Sequence, residues 1–396
     1  MKRYRLEIAF LLIAALYVIG KLPTLSIPHD EGDEDIYKTL AVHLLDTGRY
    51  TLQGTPVLPT LSPFIYDRPL FHYPPLFACG IIAFERLGVI DHSVMLSWLG
   101  HLLMLLAVFL FLKKKYYHGE EDFFVVVLPC FFAATDPIFN FVANKIWIDN
   151  LVAGLASLGF VLLWLALDRK SHPATALAAL VCALAVLTKT PAIVFAPLVL
   201  LLFGGRILRD RAATAAYLKL LGTYSLILGA LTLPWFLKFF AVTGAVIPTW
   251  LNPDPWLLSH NAFVRTVTLR PWHYFLTELP LLSPVVLPLL GAFAVVAIRK
   301  RLSQESTLML AWFLGLVGLY TFWGARGAGF QMRFLTLAIA PLYILVGDLL
   351  GRLDQRYRPL AGSLVIGLTI WNGFTNSFYL INHRVADLFD LTRVFF

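Results

Sequence analysis

The chain has 396 residues, of which 59% are hydrophobic and only 14% charged, and its mean hydropathy is +0.74. Soluble domains run at about half apolar and a quarter charged, so the composition excludes a soluble globular protein and defines a polytopic membrane protein. The formal charge of +8 is what Lys- and Arg-rich cytoplasmic loops produce, and it gives no argument for nucleic acid as a partner.

The opening run MKRYRLEIAFLLIAALYVIG lacks a small-residue cleavage site and reads as a retained first span. Behind it comes HDEGDEDIYKTLAVHLLDTGRY, residues 29–50, with carboxylates at Asp30, Glu31, Asp33, Glu34 and Asp35. From Ile36, apolar residues at 36, 37, 40, 41, 44 and 45 mark one face of a helix ending at Gly48. Asp33 is placed to cap its start, and its apolar face is expected to lie on the membrane. One reading is a capped, solvated surface helix. The other is functional, because charge near lipid is costly to keep. Residues 74–90 are too awkward for a span and read as a juxtamembrane helix in the interface. Cys79, Cys130 and Cys182 stand alone in apolar runs, with no ligand or paired spacing, and read as core residues.

Basic clusters punctuate the chain at Lys2/Arg3/Arg5, Lys113–Lys115, Arg169/Lys170, Arg206/Arg209/Arg211, Arg299–Arg301 and Arg352/Arg356/Arg358. If all are cytoplasmic, an even number of crossings separates each neighbouring pair. That parity makes two short spans of the runs on either side of TKTP, and it sets Lys189 on the outer side. It also makes spans near 123–139 and 150–167, with TDPIFNFVANKIWID as an outer loop between them. The expected architecture is an all-α helix bundle of about eleven spans, with the N-terminus inside. It is one integral-membrane domain over 1–396, with residues 27–92 as a first extracytoplasmic loop carrying juxtamembrane helices. There is no internal repeat and no low-complexity tract.

On this topology the outer face collects both signs. Asp33, Glu34 and Asp149 supply carboxylates, and Arg68, Lys145, Lys189, Arg326 and Arg333 supply cations, with His72 and Tyr73 beside them in DRPLFHYPPLF. A carboxylate can take the proton of a hydroxyl nucleophile. Cations in a water-poor cleft can stabilise a departing phosphate. Each position also has a plainer reading: Asp149 as a helix cap, Lys189 as a snorkelling residue, Pro74 and Pro75 as a helix start, Arg333 as a headgroup anchor. His29 and His72 lie near carboxylates, but their spacing is no ligand signature, so neither a divalent metal nor any other cofactor is expected.

The order of these residues resembles the lipid-phosphate-sugar glycosyltransferases of the C-type superfamily, in the branch of the protein O-mannosyltransferases and lipid A aminoarabinose transferases. DEDIYKTLA supplies Asp33, Glu34, Tyr37 and Ala41 at the family's spacing, and Pro74, Pro75 and Leu76 match its Pro-Pro-Leu. Asp149 matches an Asp opening a span, Leu187, Thr188 and Lys189 a Leu-Thr-Lys, Pro234 and Trp235 a Pro-Trp, and Arg333 the Arg before a late span. The resemblance covers roughly residues 5–350. It implies a plasma-membrane or equivalent enzyme with an extracytoplasmic site and a polyprenyl-phosphate-linked sugar donor. It further implies a protein, lipid or glycan acceptor and inverting transfer, with Asp33, Glu34 and Asp149 as the catalytic carboxylates and Asp33 as base. The donor phosphate would meet Lys189, Arg333, Arg68, His72 and Arg326, and the substrate would meet Tyr37 and Tyr73. The chain departs from the pattern at Tyr73, where many members carry Lys, so His72 or Arg68 would take over that contact. Asp30 and Glu31 form a second acidic pair, but the spacing to Tyr37 favours Asp33 and Glu34. A transporter or flippase for a lipid-linked or polar solute is the competing function, and a non-catalytic protein that kept the fold is a third.

Overall fold

The computed structural model describes residues 4–30, 32–55, 70–71, 73–244, 272–282, 286–299, 302–324, 332–353 and 355–381. All regular elements among them are helices. In chain order these are α1 (Arg5–Lys21), α2 (Asp33–Thr47), α3 (Leu76–Glu85), α4 (Met95–Tyr116) and α5 (Phe123–Ala134). Next come α6 (Pro137–Ala143), α7 (Ile148–Arg169), α8 (His172–Thr188), α9 (Ala196–Arg209) and α10 (Thr214–Thr243). The described part closes with α11 (Tyr274–Leu282), α12 (Val286–Ile298), α13 (Gln304–Gly324), α14 (Thr336–Arg352) and α15 (Arg358–Ile381).

α7 and α14 are apolar on all sides and buried along nearly their whole length, the pattern of central helices. α1, α10 and α15 turn large apolar side chains outward, among them Leu11, Leu226 and Leu360. Lipid tails are as apolar as Leu, so such a surface suits a bilayer and not water. α4 and α7 touch backbone to backbone. A Cβ on Gly154 would stand 1.9 Å from the Gly100 carbonyl oxygen, and one on Gly100 would stand 2.2 Å from the carbonyl of Asn150. Only glycine fits this crossing, which seats the first turn of α7, carrying Asp149, against α4.

Basic residues of three of these clusters gather at one end of the bundle. There Lys113 meets Glu7 at 2.5 Å, Arg206 meets Asp168 at 2.7 Å, and Arg358 meets Asp122 at 3.2 Å. Lys115 and Arg352 close on the buried Asp348 at 3.2 and 2.8 Å. Asp149, Lys189 and Arg333 lie at the opposite ends of α7, α8 and α14, and Asp33 joins them from α2.

The expected count of eleven spans is not reached among the described residues. Among the described residues seven helices are long and apolar enough to cross a membrane, or eight if α5 and α6, bent by 49° at their junction, count as one. α8 and α12, with 17 and 13 residues, reach only about 25 and 20 Å at 1.5 Å per residue, and α15 is not among the seven. α3, expected as a juxtamembrane helix, has 10 residues and is likewise too short to cross.

Four local expectations need correction. Asp33 is the first residue of α2 and not its cap; Gly32 stands at the cap, and no side chain closes it. The apolar face of α2 packs on protein instead of lipid: Ile36, Tyr37, Leu40 and Ala41 are buried, and the Tyr37 ring meets Phe77 of α3 edge-on at 5.3 Å. The presumed outer loop after α5 is folded inward, with residues 136–150 buried throughout. Asp136 begins that inward turn, since its carboxylate accepts the Phe139 N–H at 2.8 Å and Pro137 opens α6. α2 does end at Gly48, in the left-handed conformation that glycine adopts at little cost. Of the three cysteines expected in the core, Cys130 and Cys182 are buried, while Cys79 is exposed on α3.

Candidate active site

Four stretches of chain deliver charge to one point. The first turn of α2 brings Asp33, the first turn of α7 brings Asp149, the break between α8 and the following 3-10 turn brings Lys189, and the turn leading into α14 brings Arg333. The α8 break is dictated by sequence: Pro191 cannot continue the helix, and Lys189 takes an extended backbone at φ −150°, ψ 124°.

The Arg333 Nη2 donates to Asp33 Oδ2 at 2.5 Å, and its Nε lies 4.0 Å from Asp149 Oδ2. Lys189 Nζ donates to Asp149 Oδ1 at 2.6 Å. Two cations and two carboxylates thus alternate along a chain, Asp33–Arg333–Asp149–Lys189. Aromatic rings wall it. Arg333 lies over Trp147 at 4.1 Å, and Lys189 stands between the rings of Tyr73 and Phe334 at 5.1 and 5.0 Å. Arg333, Asp149 and Lys189 are buried, while the Asp33 side chain keeps 33% of its surface and is the opening to solvent.

Burial pulls the Lys189 ammonium down, but the charge of Asp149 and its hydrogen bond outweigh this and leave it above the ordinary lysine value. Burial pushes the Tyr73 hydroxyl up, against the pull of Lys189. Burial, and then the Asp33 carboxylate, push Tyr37 well above the ordinary tyrosine value.

Glu34 belongs to a separate layer. It is 1% exposed, and its Oε1 accepts the Ile146 N–H at 2.8 Å and meets His29 Nδ1 at 2.7 Å. Lys145 Nζ lies 3.6 Å from its other oxygen. The buried Lys21 holds the same inward segment from below, donating to the Asn140 carbonyl at 3.0 Å and to Asn144 Oδ1 at 2.7 Å.

Asp33, Tyr37, Tyr73, Asp149, Lys189 and Arg333 therefore come together as a group. Glu34 sits beside the group and faces away from it. Arg68, His72 and Arg326, expected at the phosphate, lie outside the described residues, as does Glu31. Asp30 stays on the surface, 2.6 Å from Lys38. His29, weighed as a metal ligand, meets the Thr24 carbonyl with its second nitrogen at 3.2 Å. Trp147 was missed by sequence reasoning; its one signal was an aromatic residue two positions before Asp149. A cavity of about 410 Å³, lined among others by Glu121, Phe124 and Arg358 at the basic end, has no part in this cluster.

No family model matches the sequence, and no curated protein matches it. The fold is nonetheless similar to that of two solved structures. Over 96% of its length the chain is similar to ArnT from Cupriavidus metallidurans bound to undecaprenyl phosphate, with a TM-score of 0.64 at 16% identity, covering 72% of that chain. With ArnT of the same organism in the apo state the TM-score is 0.61 at 18% identity, again over 96% of this chain and 72% of the other. At these identities the likeness is one of fold.

Proposed function

We propose that the protein is a single-domain membrane glycosyltransferase that moves a sugar from a polyprenyl phosphate to an acceptor on a protein, lipid or glycan, at the extracytoplasmic face. The observation that carries this reading is the alternating chain Asp33–Arg333–Asp149–Lys189, walled by Tyr73, Trp147 and Phe334. Cations held in a ring-lined, water-poor cleft suit a phosphate whose charge grows as it leaves. Undecaprenyl phosphate, bound to ArnT of the same fold, is the model for the lipid. A carrier would concentrate its charge midway along its helices, whereas this cluster lies at helix ends.

Roles follow from exposure. Asp149, 5% exposed between two cations, orients them; Asp33, 33% exposed, is the carboxylate an acceptor can reach. The arriving phosphate competes with Asp33 for Arg333, which frees the Asp33 carboxylate as base. The acceptor oxygen then bonds to the anomeric carbon from the face opposite the phosphate, with inversion. The carbon–oxygen bond to phosphate breaks, polyprenyl phosphate leaves with the bonding pair, and the acceptor proton passes to Asp33. Tyr37 and Tyr73, kept protonated by burial, line the substrate. Glu34 positions the segment that carries Trp147 and Asp149.

The test is binding of undecaprenyl phosphate to purified protein in nanodiscs, joined to mass spectrometry of glycans and glycolipids from cells with and without the gene. Saturable binding by wild type, lost in Lys189→Met, together with a sugar modification that needs the gene, is the expected result. No binding and no glycan difference would end the proposal.

A further inference from the structure

Trp147 is fixed more firmly than a wall residue requires. Its carbonyl accepts from Ser97 Oγ at 2.7 Å, and its ring meets Phe141 edge-on at 5.5 Å. The guanidinium of Arg333 lies over its face at 4.1 Å. Any aromatic ring offers such a face. Tryptophan adds an indole N–H, and here that group is buried, on a side chain in a residue 8% exposed, without a hydrogen-bond acceptor among the described residues. The Arg333 Nε–H against it is in the same condition. Buried donors are normally satisfied: Trp98 and Trp312 give theirs to the carbonyls of Ala143 and Leu337, each at 2.9 Å. Trp164 and Trp235 also lack an acceptor, but among the described residues neither carries a cation on its face.

Two unsatisfied N–H donors on side chains in contact, beside a second cation, describe a site for an anionic oxygen. We infer that Trp147 is a binding residue of this site, its indole N–H donating to a phosphoryl oxygen of the lipid phosphate beside the Arg333 guanidinium. The inference rests on the donor proposed above and adds to it a residue that neither charge nor motif marks. Tryptophan at 147 then does two things, since its face aligns the guanidinium and its edge contacts the ligand. Hydrogen bonds to charged groups are the strong ones, so losing this one should weaken binding about ten- to a hundredfold.

The test uses Trp147→Phe, which keeps a ring under Arg333 and deletes the N–H, made in wild-type and in Arg333→Lys protein. Affinity for radiolabelled undecaprenyl phosphate in nanodiscs and melting in detergent are measured for all four proteins. Weaker binding by a similar factor in both backgrounds, with melting unchanged, is expected. If the loss appears only where Arg333 is present, Trp147 acts through the guanidinium alone and the inference falls. It falls equally if Trp147→Phe binds like wild type. Should Trp147→Phe melt early, benzothienylalanine at 147, which keeps the shape and replaces N–H by sulfur, gives the same readout. If wild type itself binds no undecaprenyl phosphate, the donor reading is what has failed.

Discussion

Replacing Glu34 separates a latch from a catalyst. The carboxylate is 1% exposed and serves the Ile146 N–H at 2.8 Å, His29 at 2.7 Å and Lys145 at 3.6 Å. Glu34→Gln keeps the length and an acceptor oxygen for Ile146 but drops the charge. A charge-assisted hydrogen bond contributes about 1.5–3 kcal/mol, so a loss of about 2 kcal/mol is expected. Glu34→Ala strands the Ile146 N–H and removes the buried carboxylate that faces Lys145, and breaking a buried pair costs about 3–5 kcal/mol. Melting in detergent should therefore fall in the order wild type, Gln, Ala. Turnover per folded Glu34→Gln molecule should drop only a few-fold, because Asp33, Asp149 and both cations stay in place. The reasoning would be refuted by the reverse pattern: a Glu34→Gln protein that melts like wild type yet turns over roughly 10²–10⁴ times slower, the loss expected of a general acid or base.

Asp33→Asn should leave lipid-phosphate binding intact and slow transfer by roughly 10²–10⁴-fold, whereas Asp30→Asn, at a 70% exposed side chain on Lys38, should matter little in the same assay. Arg333→Lys keeps the charge but not the planar fork, so donor KM should rise while melting stays near wild type; wild-type kinetics would reduce Arg333 to a headgroup anchor. In wild type, the raised Lys189 value keeps the ammonium charged, and its contribution is lost only as pH rises through that raised value. Asp149→Asn removes the chief force holding it up and leaves burial to pull it down, so lipid-phosphate affinity in that variant should decline with pH well before that of wild type. Reporter fusions at Gly54 and Lys189 should read extracytoplasmic and those after Lys115 and Lys170 cytoplasmic; a cytoplasmic Gly54 would set the acidic helix on the wrong side for the donor.

Why some of this was legible in the sequence, and some not, comes down to the distance over which a residue is satisfied. The end of α2 at Gly48 and the break at Lys189 depend on residues within a turn, so glycine and proline announce them. The inward segment 136–150 carries Asn140, Asn144 and Lys145, which read as a wet loop because their partners are far away in the chain. Lys21 reaches Asn144 across 123 positions, and Glu34 reaches Ile146 across 112. Only assembly reveals that such polar groups are satisfied in the interior, as a lipid-embedded protein requires. Trp147 was hidden for a related reason, since a tryptophan at a span mouth reads first as an interface anchor.

The acidic pair in DEDIYKTLA shows how far spacing goes and where it stops. Consecutive residues of a helix point about 100° apart, so Asp33 and Glu34 set out toward different sides. Residues four apart share a face, which puts Tyr37 with Asp33 and leaves Glu34 to look elsewhere. The structure follows that division. Asp33 turns to Arg333, and its charge acts on Tyr37, while Glu34 turns into the bundle and grips the backbone at Ile146. The neighbouring acids are thus one proposed base and one anchor for the wall behind it. Because both sit on the first turn of α2, any shift of that helix moves the carboxylate and the Trp147 segment together, and the cleft keeps its shape relative to the proposed base.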